Sequence, residues 1–560
     1  MTNYQFTGGT ICAPATIPGT GAISIIRVSG KEALAIADKV IDTKGAPIAE
    51  TEGYRLRYGT VFEADGSVLD NVIVSVFRAP HSYTGENSVE ISCHASRFIV
   101  NKILELLVNA GARIAAPGEF TRRAFVNGKM DLAQAEAVAD VIASQSAASH
   151  RVAMNQLKGG FSSELKVLRE KLLTMTSLLE LELDFSEEDV EFASRKELGQ
   201  LVDDSLTHIG RLTASFSRGN AIKNGVPVAI VGATNTGKST LLNALLGEER
   251  AIVSDIAGTT RDTIEETLNI DGILFRFIDT AGIRETDETI EKIGIDRTFK
   301  KLGEAAVVLG MTDLSRGEAA VLEDADFILS KVNEMGGVKN VGTENDGSET
   351  GGASPAETGG APLAGTDGTS LAETGGIPLA ETGGASQHGH GAEQERKVVI
   401  LVNKCDVAGD FYRDDNGTGY GSGNDLGKNM AEIGGNKNVN HDNNIVSLIE
   451  NKYDNCKVIP ISAKTGKGLS TLTKTLGEIG SEITGSTDET LVTNVRHYEA
   501  LVRAASALER VRAGLHIATL PPDLIAQDLR EALYHLGEIV GEITTDETLG
   551  NIFRNFCVGK

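Results

Sequence analysis

The sequence predicts a multidomain chain of α/β and α parts. An N-terminal α/β domain is followed by a helical domain in two separated stretches, and a phosphate-loop α/β domain is inserted between those stretches. Three observations predict this. The first 125 or so residues mix β-like apolar runs with Gly/Pro turns. Leucines at helical spacing then appear both before and after the middle of the chain. Between them, apolar strands alternate with helices around a glycine-rich phosphate loop. The expected boundaries are 1–127, 128–222, 223–488 and 489–560.

Taken in order, residues 22–28 and 71–77 read as strands and 98–108 as a helix. From Leu132 the pattern is long amphipathic helix. Leu165, Leu168, Leu172, Met175 and Leu179 recur at spacings of three and four, an apolar stripe suited to helix-on-helix packing. The acidic run 184–191 reads as a solvated face or a cap. After Gly225 come the strands 227–231, 273–278, 397–402 and 458–461. The tail is helical again, with apolar positions at Leu524, Leu529, Leu533, Leu536 and Ile543. Residues 336–392 contain 16 glycines and no aromatic residue, and repeat Ala-Glu-Thr-Gly-Gly from Ala356, Ala372 and Ala380. Such a piece cannot bury enough apolar surface to order itself. Residues 408–444, rich in Gly, Asn and Asp, are its counterpart, and both read as loop insertions.

Composition narrows the function classes. The 560 residues carry 53 Lys and Arg against 78 Asp and Glu, a net charge of −25. Proteins that coat nucleic acid are normally basic, so any nucleic-acid contact must use a local basic patch. Five cysteines without metal-ligand spacing argue against a disulfide framework or zinc site. The first 21 residues show no secretory signal, and no apolar run approaches the ~20 residues of a membrane span. A cytoplasmic protein without membrane contact is expected.

The strongest motif is Gly232-Ala233-Thr234-Asn235-Thr236-Gly237-Lys238-Ser239, a complete phosphate loop between a strand and a helix that begins near Thr240. Its glycines let backbone N–H groups turn toward phosphates, Lys238 neutralises β/γ charge, and Ser239 offers a hydroxyl to Mg²⁺. Three further elements follow strands in the right order. Asp279-Thr280-Ala281-Gly282 supplies a carboxylate for the Mg²⁺ shell and a γ-phosphate-facing amide. In Asn403-Lys404-Cys405-Asp406 the last carboxylate can accept from guanine N1–H and the 2-amino group. Ser462-Ala463-Lys464 would close over the base. Together the four point to a guanine-nucleotide domain.

These residues resemble a known family. Ser254-Asp255-Ile256-Ala257-Gly258-Thr259-Thr260-Arg261-Asp262, Asn235 within the phosphate loop, and Ile283 where Ras-like enzymes carry glutamine look like the potassium-activated GTPases. Gly19-Thr20-Gly21, Ile25-Ile26-Arg27-Val28-Ser29-Gly30, Ser82-Tyr83-Thr84-Gly85-Glu86, Pro117 to Phe125, Met130 to Glu136 and the terminal Phe556-Cys557-Val558-Gly559-Lys560 narrow the resemblance to the tRNA-modification GTPase family called MnmE or TrmE. It covers nearly the whole chain except the two insertions. It implies a homodimer formed through an N-terminal domain similar to tetrahydrofolate-binding domains. It also implies a flavoprotein partner, MnmG, carrying FAD, and tRNA as substrate, modified at C5 of the wobble uridine with an aminomethyl or carboxymethylaminomethyl group. 5-Formyltetrahydrofolate or methylenetetrahydrofolate would be the one-carbon donor. The family's folate contacts fall on Arg27, Glu90, Lys129 and Lys560. Its K⁺ would be held by Asn235, Ser254, Ile256 and Thr259, with Thr260 joining Ser239 on Mg²⁺. Asn235, Lys238 and Glu291 would be the catalytic set, Glu291 orienting water; read without the resemblance, Glu291 is a solvated helix charge.

Overall fold

The structure is a computed structural model. It describes residues 8–184, 194–249, 266–278, 305–334, 396–406, 445–453, 456–485, 489–516, 521–554, 556 and 559. Both low-complexity stretches and most of the acidic run lie outside the described residues. Two compact units are distinguished: Met1–Val228, Gly237–Thr286 and Ile461–Lys560 form one, Ala229–Thr236 and Asp287–Pro460 the other.

The first unit opens with β1 (Ile11–Pro14), β2 (Ile23–Ser29), α1 (Ala33–Val40), β3 (Ile41–Thr43), β4 (Arg55–Phe62), β5 (Val68–Phe77), β6 (Ser88–His94), α2 (Arg97–Asn109) and β7 (Arg113–Ile114). The strands make a seven-stranded sheet in the order β3-β4-β5-β6-β2-β1-β7. Its register follows from alternation: Val72, Val74 and Val76 of β5 are buried with Ile36, Ile103 and Leu107 of the two helices, because successive strand residues face opposite sides. On the opposite face, β1 is covered by Ala115 and Phe120, while β4 and β5 leave Leu56, Tyr58 and Ile73 exposed.

Next come α3 (Glu119–Val126), α4 (Leu132–Ala143), α5 (Ala147–Leu157), α6 (Gly160–Asp184), α7 (Arg195–Ala214) and α8 (Phe216–Asn224). Both α4 and α5 begin with reciprocal capping boxes, Asp131 with Gln134 and Ser146 with Ser149, which satisfy the otherwise orphaned first-turn N–H groups. Late in the chain the same unit contains α13 (Val495–Leu515), α14 (Pro522–Val540) and α15 (Asp546–Arg554). The leucine stripe is core as expected: Leu165, Leu168, Leu172 and Leu179 are buried with Leu198 and Val202 of α7, Leu501 and Leu508 of α13, and Leu529, Leu533 and Leu536 of α14. Leu524 and Ile543 differ. Leu524 sits in the exposed first turn of α14, and Ile543 lies past Gly541, whose left-handed conformation ends that helix.

The two helical stretches are pinned by a buried charge cluster. Glu136 of α4 accepts from Arg496 Nε at 3.0 Å and Nη2 at 2.8 Å, and pairs with His497 Nε2 at 2.6 Å. Burial works against the Glu136 charge, but His497 and Arg496 outweigh it and hold the carboxyl at about 2. A depressed carboxyl stabilises the fold above its unfolded pKa and loses that contribution as pH falls through the folded one. Stability is therefore expected to drop between pH ~4.5 and ~2. In Glu136→Gln that part of the acid dependence should vanish and stability at neutral pH should fall by ~3 kcal/mol. Urea unfolding of both proteins across this pH range checks it.

The remaining elements are β8 (Val226–Gly232), α9 (Lys238–Glu249), β9 (Glu266–Ile270), β10 (Ile273–Ile278), β11 (Val307–Asp313), α10 (Glu318–Glu334), β12 (Lys397–Asn403), α11 (Ile445–Lys452), β13 (Cys456–Pro460) and α12 (Leu469–Thr484). The boundary between units falls inside β8. In the second unit the order is β13-β12-β11-β8, with β11, β12 and β13 parallel. In the first, β8 is followed by β10 and antiparallel β9. β12 is wholly buried from Val398 to Asn403, the pattern of a strand covered on both faces. Among the described residues no helix is long and apolar enough to cross a membrane.

Candidate functional site

The phosphate loop leaves β8 at Gly232. A Cβ there would collide with the Met311 carbonyl of the neighbouring strand, so only glycine lets the chain turn this close to β11. Asn235 adopts φ +63° and Gly237 φ +98°. Left-handed backbone at Asn235 is tolerated because its short amide can bond locally, and it stands exposed at the tip of the loop. Thr236 is buried, and its Oγ1 donates to Ala233 O at 2.9 Å.

Lys238 and Ser239 open α9, followed by exposed Thr240. Lys238 is pushed below the usual lysine range by burial. Desolvation disfavours the charged form of a cation, and an arriving anion favours it.

The second unit ties the Asn403–Asp406 motif to this loop. Asn403 is buried at the end of β12, and its Nδ2 donates to Thr236 O at 2.6 Å. Lys404 adopts φ +62°, costly for a long side chain. Its Nζ pairs with Asp313 Oδ2 at 2.6 Å. Burial opposes the Asp313 charge, yet Lys404, with the Ser315 hydroxyl and N–H, keeps the carboxyl below its ordinary range. Asp406 is exposed, its carboxylate open to solvent. In the first unit Ser462 is buried; its N–H donates to Lys467 O at 2.9 Å and its Oγ accepts from Thr465 N–H at 3.2 Å. Ala463 is buried and Lys464 exposed in the same turn.

Asp313 was not singled out by sequence. It ends an apolar strand like many turn-forming aspartates, and only the parallel register placing it opposite Asn403 reveals its partner. Asp313→Asn should release Lys404 and weaken guanine-nucleotide binding ~10-fold, about 1.4 kcal/mol. Titration with a fluorescent GDP analogue measures this. The effect should be absent in a Lys404→Ala background, where there is nothing left to position.

A second constellation lies on the N-terminal sheet. Arg27 and Glu90 are cross-strand partners in β2 and β6, joined by Nε and Nη2 donating to Oε1 at 3.0 and 2.8 Å. Arg27 Nη1 also donates to Gly559 O at 3.4 Å, which brings the far end of the chain to this pair. The guanidinium lies 5.2 Å from the Tyr83 ring centroid and 5.7 Å from that of Phe120. Burial raises the Tyr83 phenol, while its bond with Thr121 and the charge of Arg27 pull it back. Lys129 takes another position: its Nζ donates to Pro80 O at 3.1 Å and its stem packs at Gly85. Tyr83, Phe120 and the Gly559 carbonyl are contacts that sequence spacing could not assign, although all three fall inside the quoted motifs.

Several expected site residues lie outside the described residues: Ser254, Asp255, Ile256, Ala257, Gly258, Thr259 and Thr260 in one stretch, Asp279, Thr280, Ala281, Gly282 and Glu291 in another, and Lys560 at the end. The described cysteines Cys12, Cys93, Cys405 and Cys456 are buried and unbridged; burial lifts the Cys12, Cys93 and Cys456 thiols to about 11, leaving them unreactive.

Comparison with known proteins finds two family models and a set of full-length relatives. A family model described as the GTP-binding protein TrmE N-terminus matches residues 10–129, and one described as the MnmE helical domain matches residues 132–557. The chain is 44% identical over 554 residues to the tRNA modification GTPase MnmE of Parabacteroides distasonis, covering 98% of this chain and 100% of that protein. It is 43% identical over 554 residues to the protein so named in Bacteroides thetaiotaomicron, covering 98% and 99%. With that of Porphyromonas gingivalis it shares 42% over 562 residues, covering 100% and 99%.

Proposed function

The chain belongs to the MnmE family of tRNA modification GTPases, and from that premise we propose that it couples GTP hydrolysis, with the flavoprotein MnmG, to the addition of an aminomethyl or carboxymethylaminomethyl group at C5 of the wobble uridine of certain tRNAs. It is a GTP-hydrolysing enzyme. The observation that carries the nucleotide reading is the 2.6 Å hydrogen bond from Asn403 to Thr236 O, which holds the guanine-reading motif on the phosphate loop.

The residues divide the work by chemistry. The N–H groups of 235–240 and the Lys238 ammonium would bind the phosphates. Asp406 would accept from the guanine edge, beside a Lys404 held by Asp313. The desolvated Lys238 and the tight loop fit an anionic phosphate with its Mg²⁺, which Ser239 and Thr260 would hold, with Asp279 in the surrounding shell. Asn235, standing exposed at φ +63°, suits a cation ligand, and with Ser254, Ile256 and Thr259 would hold K⁺. When bound, that ion supplies positive charge between the β- and γ-phosphates. Glu291 would orient water. The domain organisation that fits is 1–127, a GTPase domain at 223–488, and helical segments 128–222 and 489–560 around it.

The Arg27–Glu90 pair, edged by Tyr83 and Phe120, offers donors, an acceptor and flat surfaces suited to the amino edge and ring of a reduced folate. Lys129 and Lys560 would meet its acidic tail. FAD would reside on the partner. A homodimer is supported by the apolar face of β4 and β5, where Leu56, Tyr58 and Ile73 are 67%, 58% and 47% exposed. Mass spectrometry of tRNA wobble nucleosides from a strain lacking the gene tests the proposal. The C5-modified uridines should disappear and should return with the wild-type gene but not with Lys238→Ala.

A further inference from the structure

We propose that the groove between α5 and the β9–β10 turn holds the phosphodiester backbone of RNA. This rests on the reading of tRNA as substrate and names the surface that would grip it. A chain of net charge −25 repels a polyanion as a whole, so binding needs a place where cations gather and carboxylates are absent. The groove is such a place. It is a cavity of about 1020 Å³ with no Asp or Glu in its lining.

One wall is a helix face. His150, Arg151, Asn155 and Lys158 project from one side of α5 and the residue that follows it, at spacings of one, four and three. The three basic residues are exposed. Arg151 and Lys158 stand two turns apart, about 10 Å along the axis, so they can meet separate phosphates. The other wall is the turn between β9 and β10, with Asn269 and the junction residue Gln145 adding amides to the cations. Arginine, lysine and side-chain amides are the groups that bind nucleic-acid backbones.

The walls are fixed to each other before any ligand arrives. Asn269 Nδ2 donates to Gln145 O at 3.0 Å, and its Oδ1 accepts the Gly272 N–H at 3.0 Å. The capping box of Ser146 and Ser149 anchors the start of α5. Two carboxylates close in sequence to the lining are engaged elsewhere. Asp140 is bound by Lys223 at 2.8 Å, and Asp271, beside Gly272, lies against Gly477 of α12. No Phe, Tyr or Trp lines the groove. It therefore lacks the large aromatic rings on which successive unpaired bases stack and the Trp and Tyr anchors at the centre of protein interfaces. Backbone charge is what it can read.

The test uses the full-length protein and an unmodified tRNA transcript with uridine at the wobble position, bound at several KCl concentrations between about 50 and 200 mM. Arg151→Glu combined with Lys158→Glu should weaken binding by at least ~10-fold and reduce the slope of log affinity against log salt by about 1.4 to 1.8, two phosphate contacts' worth. GTP turnover and the unfolding midpoint should stay as in wild type. Arg151→Lys with Lys158→Arg should bind normally. An unchanged affinity and slope would overturn the groove while leaving the tRNA reading intact; a wild type that binds no transcript would overturn both. Full displacement by millimolar inorganic phosphate at constant ionic strength would mark a small-anion site. Loss of association with the flavoprotein while tRNA binding persists would mark a protein-docking surface. Either result overturns the proposal.

Discussion

GTP turnover is expected to be ~100-fold faster in KCl than in NaCl of equal ionic strength. The transition state needs positive charge between the β- and γ-phosphates, and one well-placed electrostatic contact there contributes about 10²–10³ in rate. The Ile283 side chain cannot orient water or donate a hydrogen bond. Asn235 is the described member of the proposed K⁺ set, held in left-handed backbone at the tip of the loop. Asn235→Ala should therefore remove the ion preference, leaving turnover near the wild-type rate in Na⁺. Glu291→Ala should be slow in both salts, by about 100-fold, while GTP affinity stays within about twofold. Steady-state phosphate release gives the rates, and a fluorescent GTP analogue the affinities. Equal wild-type rates in the two salts would reject the K⁺ mechanism without touching the GTPase assignment.

Asp406→Asn is expected to weaken GTP binding by about 100-fold, near 2.7 kcal/mol, and to raise relative affinity for xanthosine triphosphate. The carboxylate can accept from both guanine N1–H and the 2-amino group, and hydrogen bonds to a charged acceptor contribute about 1.5–3 kcal/mol each. The amide replaces one acceptor oxygen with a donor, matching the O2 of xanthine. Because Asp406 is exposed and makes no core contact, the fold should be unaffected. Competition between the two nucleotides, with the unfolding midpoint as control, measures both parts. GTP affinity within about twofold of wild type would reject Asn403 to Asp406 as the base-reading loop.

The acidic balance bears on how these parts cooperate. Sequence required that any RNA contact be local, and α5 offers a carboxylate-free groove on a strongly acidic chain. It neighbours the β9–β10 turn, whose second strand runs directly into Asp279 at the next position. RNA held there would touch the same hairpin that leads into the proposed Mg²⁺ shell, giving substrate binding a short covalent route to the hydrolytic machinery.

The sequence by itself determined whatever is written in contiguous residues. A phosphate loop is a backbone device: eight consecutive residues set its turn, its N–H groups and its lysine, so Gly232 to Ser239 was legible without a fold. The strands at 273–278 and 397–402 and the leucine stripe of α6 were legible for a similar reason, since periodicity of two or 3.6 is a local property. What only the tertiary structure decided is pairing across distance. Lys404 meets Asp313 because parallel β11 and β12 share one register. Arg27 meets Glu90 across β2 and β6, and meets the Gly559 carbonyl 532 residues away. Glu136 finds Arg496 and His497 because α14 packs against both α4 and α13, which brings α4 to the start of α13. The cations of α5 face a groove because Asn269 of a distant hairpin bonds to Gln145. Periodicity fixes which way a side chain points on its own element. Register and packing fix what it meets, and those depend on the whole set of buried contacts at once.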